Sequence, residues 1–329
     1  MKTHPTKKIN WGILGLGHIA EKFASDLLLS ENSVLQGVAS RDINKAKQFG
    51  DKYRAVNYYG SYTELAEDPI IDVIYIATPH VMHFENTMMC LKNGKSVLCE
   101  KPMGMNSDKV KIMSDYAKES NLFLMEGLWT RFIPATEKLL ELLENKEIGD
   151  LVMVRADFGF KAPNNPESRV FNRNLGGGSL MDVGIYPVYL SLLTLGNPSA
   201  ISAKSEFTET GVDAYCSMNF DYNKRAMSIL ESSIVSQTRT EALLYGTKGL
   251  IIMHPRFHHT QKLTIYKDGI FKTIFENRNR GFGYIYEIEE VNKCLQNKKT
   301  ESDKLPLSMS YQISMLLDWI KSEIGLVYE

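Results

Sequence analysis

Apolar residues fall into two regimes along the chain. As far as residue 125 they come as short unbroken runs, Ile9–Leu14, Val34–Ala39, Val73–Ala77 and Ser96–Cys99. Between the runs lie segments of helical spacing: Ala20–Leu29, where Phe23, Leu27 and Leu28 share a face, then Ile43–Tyr53, Phe84–Leu91 and Ser107–Glu119. Strands without polar alternation are buried on both faces, and strands separated by helices pair in parallel. The pattern predicts an α/β, Rossmann-type doubly wound domain over residues 1–125, ending in a strand at Leu122–Met125. After Glu126 come a helix at Ala135–Glu144 and an extended segment at Leu151–Phe160, and from Ala200 the period becomes two. Val212, Ala214, Cys216, Met218 and Phe220 alternate with their neighbours, Asp221–Lys224 supplies a turn, and Ala226, Ser228 and Leu230 continue on the return. Lys262–Lys267 and Ile270–Phe275 flank the hairpin signal Asp268–Gly269, and helices at Tyr284–Gln296 and Ser308–Ser322 close the chain. Residues 126–329 are thus expected to form an α+β domain around a mainly antiparallel, open-faced sheet of five or six strands.

Charge and composition narrow the class. Thirty-eight Lys and Arg against 39 Asp and Glu leave a net charge of -1, so no bulk positive field is present to displace counterions from nucleic acid or to hold an anionic membrane. The most apolar stretches, near Trp11–Ala20 and Tyr186–Leu195, are about half of the ~20 residues that cross a bilayer. Cys90, Cys99, Cys216 and Cys294 stand far apart with no metal-ligand spacing, which reads as reduced structural thiols in a cytoplasmic protein. Lysines followed by apolar residues at the start could imitate a signal peptide, but the same residues have a better explanation.

That explanation is Gly15-Leu16-Gly17-His18-Ile19-Ala20, a GxGxxA pattern between a strand and a helix. Gly15 permits a tight turn, Gly17 removes a side chain where a pyrophosphate approaches, and Ala20 lets helix and strand pack closely. The helix N-terminus then offers N–H groups and the positive dipole end to the phosphates. Twenty-three positions after Gly17, where NAD sites carry a carboxylate for the ribose 2′-hydroxyl, stands Ser40, followed by Arg41. A hydroxyl and a guanidinium fork suit a 2′-phosphate, which favours NADP over NAD; Asp42 would reverse the preference if it reached the ribose. His80 and His83 lack a third ligand at useful spacing and suit a nucleotide pocket rather than a metal.

Glu100-Lys101-Pro102 follows a strand, and with GxGxxA, with Ala77-Thr78-Pro79 ahead of His83, and with Gly176-Gly177-Gly178-Ser179-Leu180-Met181-Asp182-Val183-Gly184-Ile185-Tyr186 it resembles the Gfo/Idh/MocA oxidoreductases over nearly the whole chain. Met125–Phe132, and a tyrosine where other members carry histidine, are similar to the branch of dihydrodiol and NADP-dependent D-xylose dehydrogenases. The resemblance implies an active-site lysine at Lys101 and an acid/base group at Tyr186 with Asp182. It also implies cofactor contacts from Gly15, Gly17, His18, Ile19, Ser40, Arg41, Thr78, His83, Glu100 and Lys101, and a substrate contact from Trp129. Taken singly these residues are bland: a lone EKP is a loop, GGG a linker, and a lone Trp core.

Oxidising a secondary alcohol by hydride transfer requires a positioned base for the hydroxyl proton. Tyr186 fits that task, its unperturbed pKa of about 10 being lowered by a nearby ammonium such as Lys101. Asp182, four residues earlier, would share its helical face, although Pro187 inside a helix would cost about 3 kcal/mol outside the first turn. The expected activity is NADP-dependent oxidation at the carbinol carbon of a sugar, polyol or cyclic diol. The other readings are a nucleotide-sensing regulator without catalysis, which the retention of Lys101 and Tyr186 argues against, and imine or enone reduction on the same scaffold. Tyr215, Met227, Ile229 and Val235 on the outer face of the second-domain sheet point to a homodimer or higher homo-oligomer built through it.

Overall fold

The computed structural model describes residues 7–223 and 226–328, so the expected Asp221–Lys224 turn ends outside the described residues. The chain divides into two compact units, the first running to Phe132 and including Arg280–Tyr311, the second comprising Ile133–Asn279 and Gln312 onward.

In the first unit, β1 (Ile9–Leu14), α1 (His18–Leu27), β2 (Ser33–Ala39), α2 (Ile43–Tyr53), β3 (Asn57–Tyr59), α3 (Tyr62–Glu67), β4 (Val73–Ile76), α4 (His83–Lys92), β5 (Ser96–Glu100), α5 (Ser107–Glu119) and β6 (Leu124–Gly127) alternate along the chain. The strands form one parallel sheet of order β3-β2-β1-β4-β5-β6, the doubly wound arrangement the sequence predicts. β4 and β5 are buried at every position, as strands covered on both faces must be. β3 and α3 were not expected: three and six residues are too short to show a period. Leu28, expected beside Phe23 and Leu27, is the C-cap of α1 and 49% exposed.

The second unit contains α6 (Pro134–Glu144), β7 (Leu151–Gly159), a π turn at Leu180–Gly184 running into α7 (Ile185–Leu195), then β8 (Ala200–Phe207), β9 (Asp213–Tyr222), β10 (Ala226–Ser233), β11 (Ala242–Gly246), β12 (Gly249–Met253), β13 (Lys262–Lys267) and β14 (Ile270–Glu276). Its sheet has eight strands among the described residues rather than five or six, in the order β14-β13-β12-β11-β7-β10-β9-β8, all antiparallel except β7 with β10. The expected alternation on β9 holds, with Ala214, Cys216, Met218 and Phe220 facing in. Residues 173–195 are long and apolar enough to cross a membrane, yet their most apolar part is 83% buried here, α7 packing on β7 and β10.

Near its end the chain returns to the first unit. α8 (Ile285–Gln296) belongs to the first unit, and α9 (Leu307–Ile324) contains the division at 311/312. The reason is polar and specific. The buried Asp26 carboxylate on α1 accepts the backbone N–H of Phe282 at 2.8 Å and of Ile285 at 3.2 Å, capping α8 from another element. On α8, Asn292 accepts the Trp11 indole N–H at 3.0 Å and donates to Ser33 at 2.8 Å.

Candidate active site

In the first unit the strand ends carry the predicted nucleotide residues. Gly15 has φ +89°, and a Cβ there would meet the Thr78 side chain at 2.9 Å, so turn and packing both exclude a larger residue. Gly17 differs: a Cβ on it would meet nothing within 4 Å, so its smallness serves no packing within the protein. No side chain caps α1, which leaves the N–H groups of its first turn, from exposed His18 and half-buried Ile19 onward, for an outside acceptor. An open approach at Gly17 in front of an uncapped helix fits a dinucleotide pyrophosphate.

At the end of β2, Ser40 accepts the Asp42 N–H at 3.2 Å, while Arg41 is exposed. Asp42 is the N-cap of α2: its carboxylate accepts the N–H groups of Asn44 at 2.9 Å and Lys45 at 3.4 Å. Oδ1 of Asp42 thus serves the first turn of a helix, the ordinary N-cap chemistry of Asp.

Glu100 ends β5 and is buried. Its carboxylate accepts the Tyr75 hydroxyl from neighbouring β4 and, at 3.2 Å, the N–H of Lys101. Burial and this carboxylate push the Tyr75 phenol well above its usual range, so Tyr75 stays a donor. Glu100 thereby ties the start of the loop to β4. The loop continues through half-exposed Lys101 and a cis Pro102 to Met103, whose N–H donates at 2.8 Å to the buried carboxylate of Glu126 on β6. Desolvation pushes Glu126 up to about 7, against the hydrogen bond from Met103. His83 is wholly buried and its ring nitrogens lie on the Pro102 and Thr78 carbonyl oxygens, so it braces these loops from beneath. The Thr78 hydroxyl accepts the Asn86 amide at 3.1 Å. Trp129, 8% exposed, stacks on Tyr284 with ring centroids 4.4 Å apart and planes at 8°. Sequence gave no sign of Tyr284 as its partner.

In the second unit the glycine-rich run is a rigid turn. Gly178 has φ +114°, and a Cβ on it would lie 2.1 Å from an Asp213 carboxylate oxygen. That carboxylate accepts the Ser179 hydroxyl and the Leu180 N–H, both at 2.6 Å, and so caps the π turn; burial lifts it to about 6. The Tyr328 hydroxyl donates to the Gly177 carbonyl at 2.5 Å from the far end of the chain. In the π turn the Ile185 N–H reaches back to the Leu180 carbonyl, and this wider turn runs straight into α7, in whose first turn Pro187 falls, where proline is tolerated. Asp182, on the π turn, is buried and holds one guanidinium nitrogen of Arg169 at 3.0 and 3.1 Å. Tyr186 opens α7, its ring centroid 4.9 Å from that of His258 and 5.5 Å from that of Phe158, while His258 stacks on Phe158 at 4.3 Å. Arg169, Asp213, Phe158 and His258 come from segments with no motif, so only the fold reveals them.

Residues 9–128 match the GFO/IDH/MocA oxidoreductase family with an NAD-binding Rossmann fold, and residues 136–252 match its C-terminal domain. The chain is similar to trans-1,2-dihydrobenzene-1,2-diol dehydrogenase of Xenopus laevis, 37% identical over 328 residues that cover 97% of this chain and 98% of the relative. It is 36% identical to the Homo sapiens protein of that name over 330 residues, with the same coverage. Among solved structures it resembles KijD10, a 3-ketoreductase from Actinomadura kijaniata in complex with NADP and TDP-benzene, with a TM-score of 0.89 at 20% identity over 97% of this chain and 98% of that one. At that identity the structural likeness speaks for the fold.

Proposed function

Because the chain belongs to the GFO/IDH/MocA oxidoreductase family, we propose that it is an NADP-dependent dehydrogenase of CH–OH groups, with a cyclic diol as its substrate ahead of sugars and polyols. The observation that carries the substrate class is the aromatic wall of Phe158 and His258 beside Tyr186. Flat aromatic ring faces, on which an unsaturated ring can stack, suit such a ring better than the hydroxyl-studded face of an acyclic polyol. Similarity over 97% of the chain to dihydrodiol dehydrogenases supports the same class.

The bound nicotinamide supplies the hydride acceptor. Tyr186 takes the hydroxyl proton as the C–H bond electrons leave and the carbonyl forms, and returns it in the reverse direction. Lys101 holds the substrate oxygen and supplies positive charge where negative charge develops. Asp182, paired with Arg169, fixes the π turn that leads into α7, from whose first turn Tyr186 projects.

The test is absorbance of nicotinamide reduction over a panel of trans-dihydrodiols, aldoses and inositols. Dihydrodiols are expected to turn over fastest, and Tyr186→Phe or Lys101→Met to lower turnover at least ~100-fold with NADPH binding nearly kept. Near wild-type rates in Tyr186→Phe would remove the proton role, and a polyol preference would remove the aromatic-wall reading.

A further inference from the structure

His83 opens α4 and has no exposed surface. Its Nδ1 lies 2.7 Å from the carbonyl oxygen of Pro102 and its Nε2 2.8 Å from that of Thr78. Both partners are acceptors only, because a backbone carbonyl has no proton to give. A neutral imidazole carries one N–H, so in either tautomer one nitrogen lone pair would face a carbonyl oxygen at hydrogen-bond distance. Turning the ring over does not help: it would place ring carbons at those positions, closer than the roughly 3.3–3.6 Å of C–H···O contacts. Two donors are needed, and only the doubly protonated ring has them.

We infer that His83 is held as an imidazolium, and that this buried cation is the positioning residue for the loop bearing Lys101. It ties the Thr78 turn, which packs on Gly15, to the Pro102 loop after β5. The nucleotide turn and the lysine are thereby set in one register. A buried charge is tolerated when its hydrogen bonds are made, and each His83 nitrogen has a carbonyl acceptor within 2.8 Å. The protonation state depends only on the protein; the positioning consequence rests on the role proposed for Lys101.

The test is NMR of full-length protein labelled with 15N-histidine, without cofactor, at pH 7.5, where an ordinary histidine of pKa about 6.5 is mostly neutral. Both His83 nitrogens are expected to carry protons and to resonate close together. One protonated and one bare nitrogen would overturn the inference, whatever the cofactor binding shows. His83→Gln assigns the signals; if that variant does not fold, substituting the other six histidines assigns them by elimination. In a folded His83→Gln, which has no second donor nitrogen to bridge both carbonyls, turnover is expected to fall at least tenfold with the circular dichroism unchanged. Unchanged turnover would overturn the positioning role.

Discussion

At the scale of single residues, two carboxylates decide two different properties. Asp42 places one carboxylate oxygen, Oδ1, on the first turn of α2, beside Ser40 and exposed Arg41, a hydroxyl and a guanidinium suited to a 2′-phosphate. NADPH is therefore expected to bind at least tenfold more tightly than NADH, a difference of about 1.4 kcal/mol, with Arg41→Ala removing most of it. Equal dissociation constants in the wild type, measured by fluorescence titration, would reject NADP preference. Glu126 sets a pH dependence of stability. Its folded pKa of about 7 lies above the ordinary glutamate value, so the folded state binds its proton more tightly than the unfolded chain. Its contribution is then fully present below about pH 4.3 and is lost as pH rises through 7. Wild type should lose more stability between pH 5 and pH 8 than Glu126→Gln does, and urea unfolding of the two at both pH values measures it. Parallel losses would mean that Glu126 is ionised throughout.

At the scale of elements, the π turn explains how Pro187 is accommodated so close to Asp182 and Tyr186, an objection that helical spacing alone could not answer. It also makes the glycine run exacting. Gly178→Ala would press a methyl against Asp213 in a backbone region that alanine avoids, and should cost well over 1 kcal/mol of stability and lower turnover as the turn shifts. Thermal unfolding with kinetics on the same sample tests this; an alanine variant of wild-type stability would mean the turn relaxes freely. Elements of strong period were legible in the sequence: α5 spans Ser107–Glu119 and β13 spans Lys262–Lys267 as expected. β3 and α3 were not, because a short, half-exposed segment carries too few apolar positions to show a period. The site divides in the same way. Gly15, Lys101 and Tyr186 sit in motifs whose local geometry is encoded nearby, whereas Arg169 reaches Asp182, and His258 reaches Tyr186, only through long-range packing.

At the scale of the whole molecule, the outer face of the eight-stranded sheet is expected to pair two copies of the chain. Met227, Met153, Tyr245 and Leu250 lie side by side across β10, β7, β11 and β12, and Ile229, Leu243 and Ile252 line the adjacent row around Arg155. These side chains are half-buried or exposed, and one face on a two-fold axis is the commonest way to cover such a surface. Sedimentation velocity should show a species of twice 37.3 kDa that Met153→Lys weakens; a concentration-independent 37.3 kDa species would reject the pairing. The return of residues 280–311 to the first unit has a consequence for biosynthesis. A ribosome delivers the chain in order, and domains generally fold as their last residue emerges. The GxGxxA turn, Lys101 and every other cofactor motif are made early, yet Trp11 and Asp26 wait for Asn292 and the 282–285 backbone, some 256 to 281 residues downstream. A nascent or truncated chain ending at residue 279 should therefore carry the complete recognition sequence for a nicotinamide nucleotide and fail to bind it.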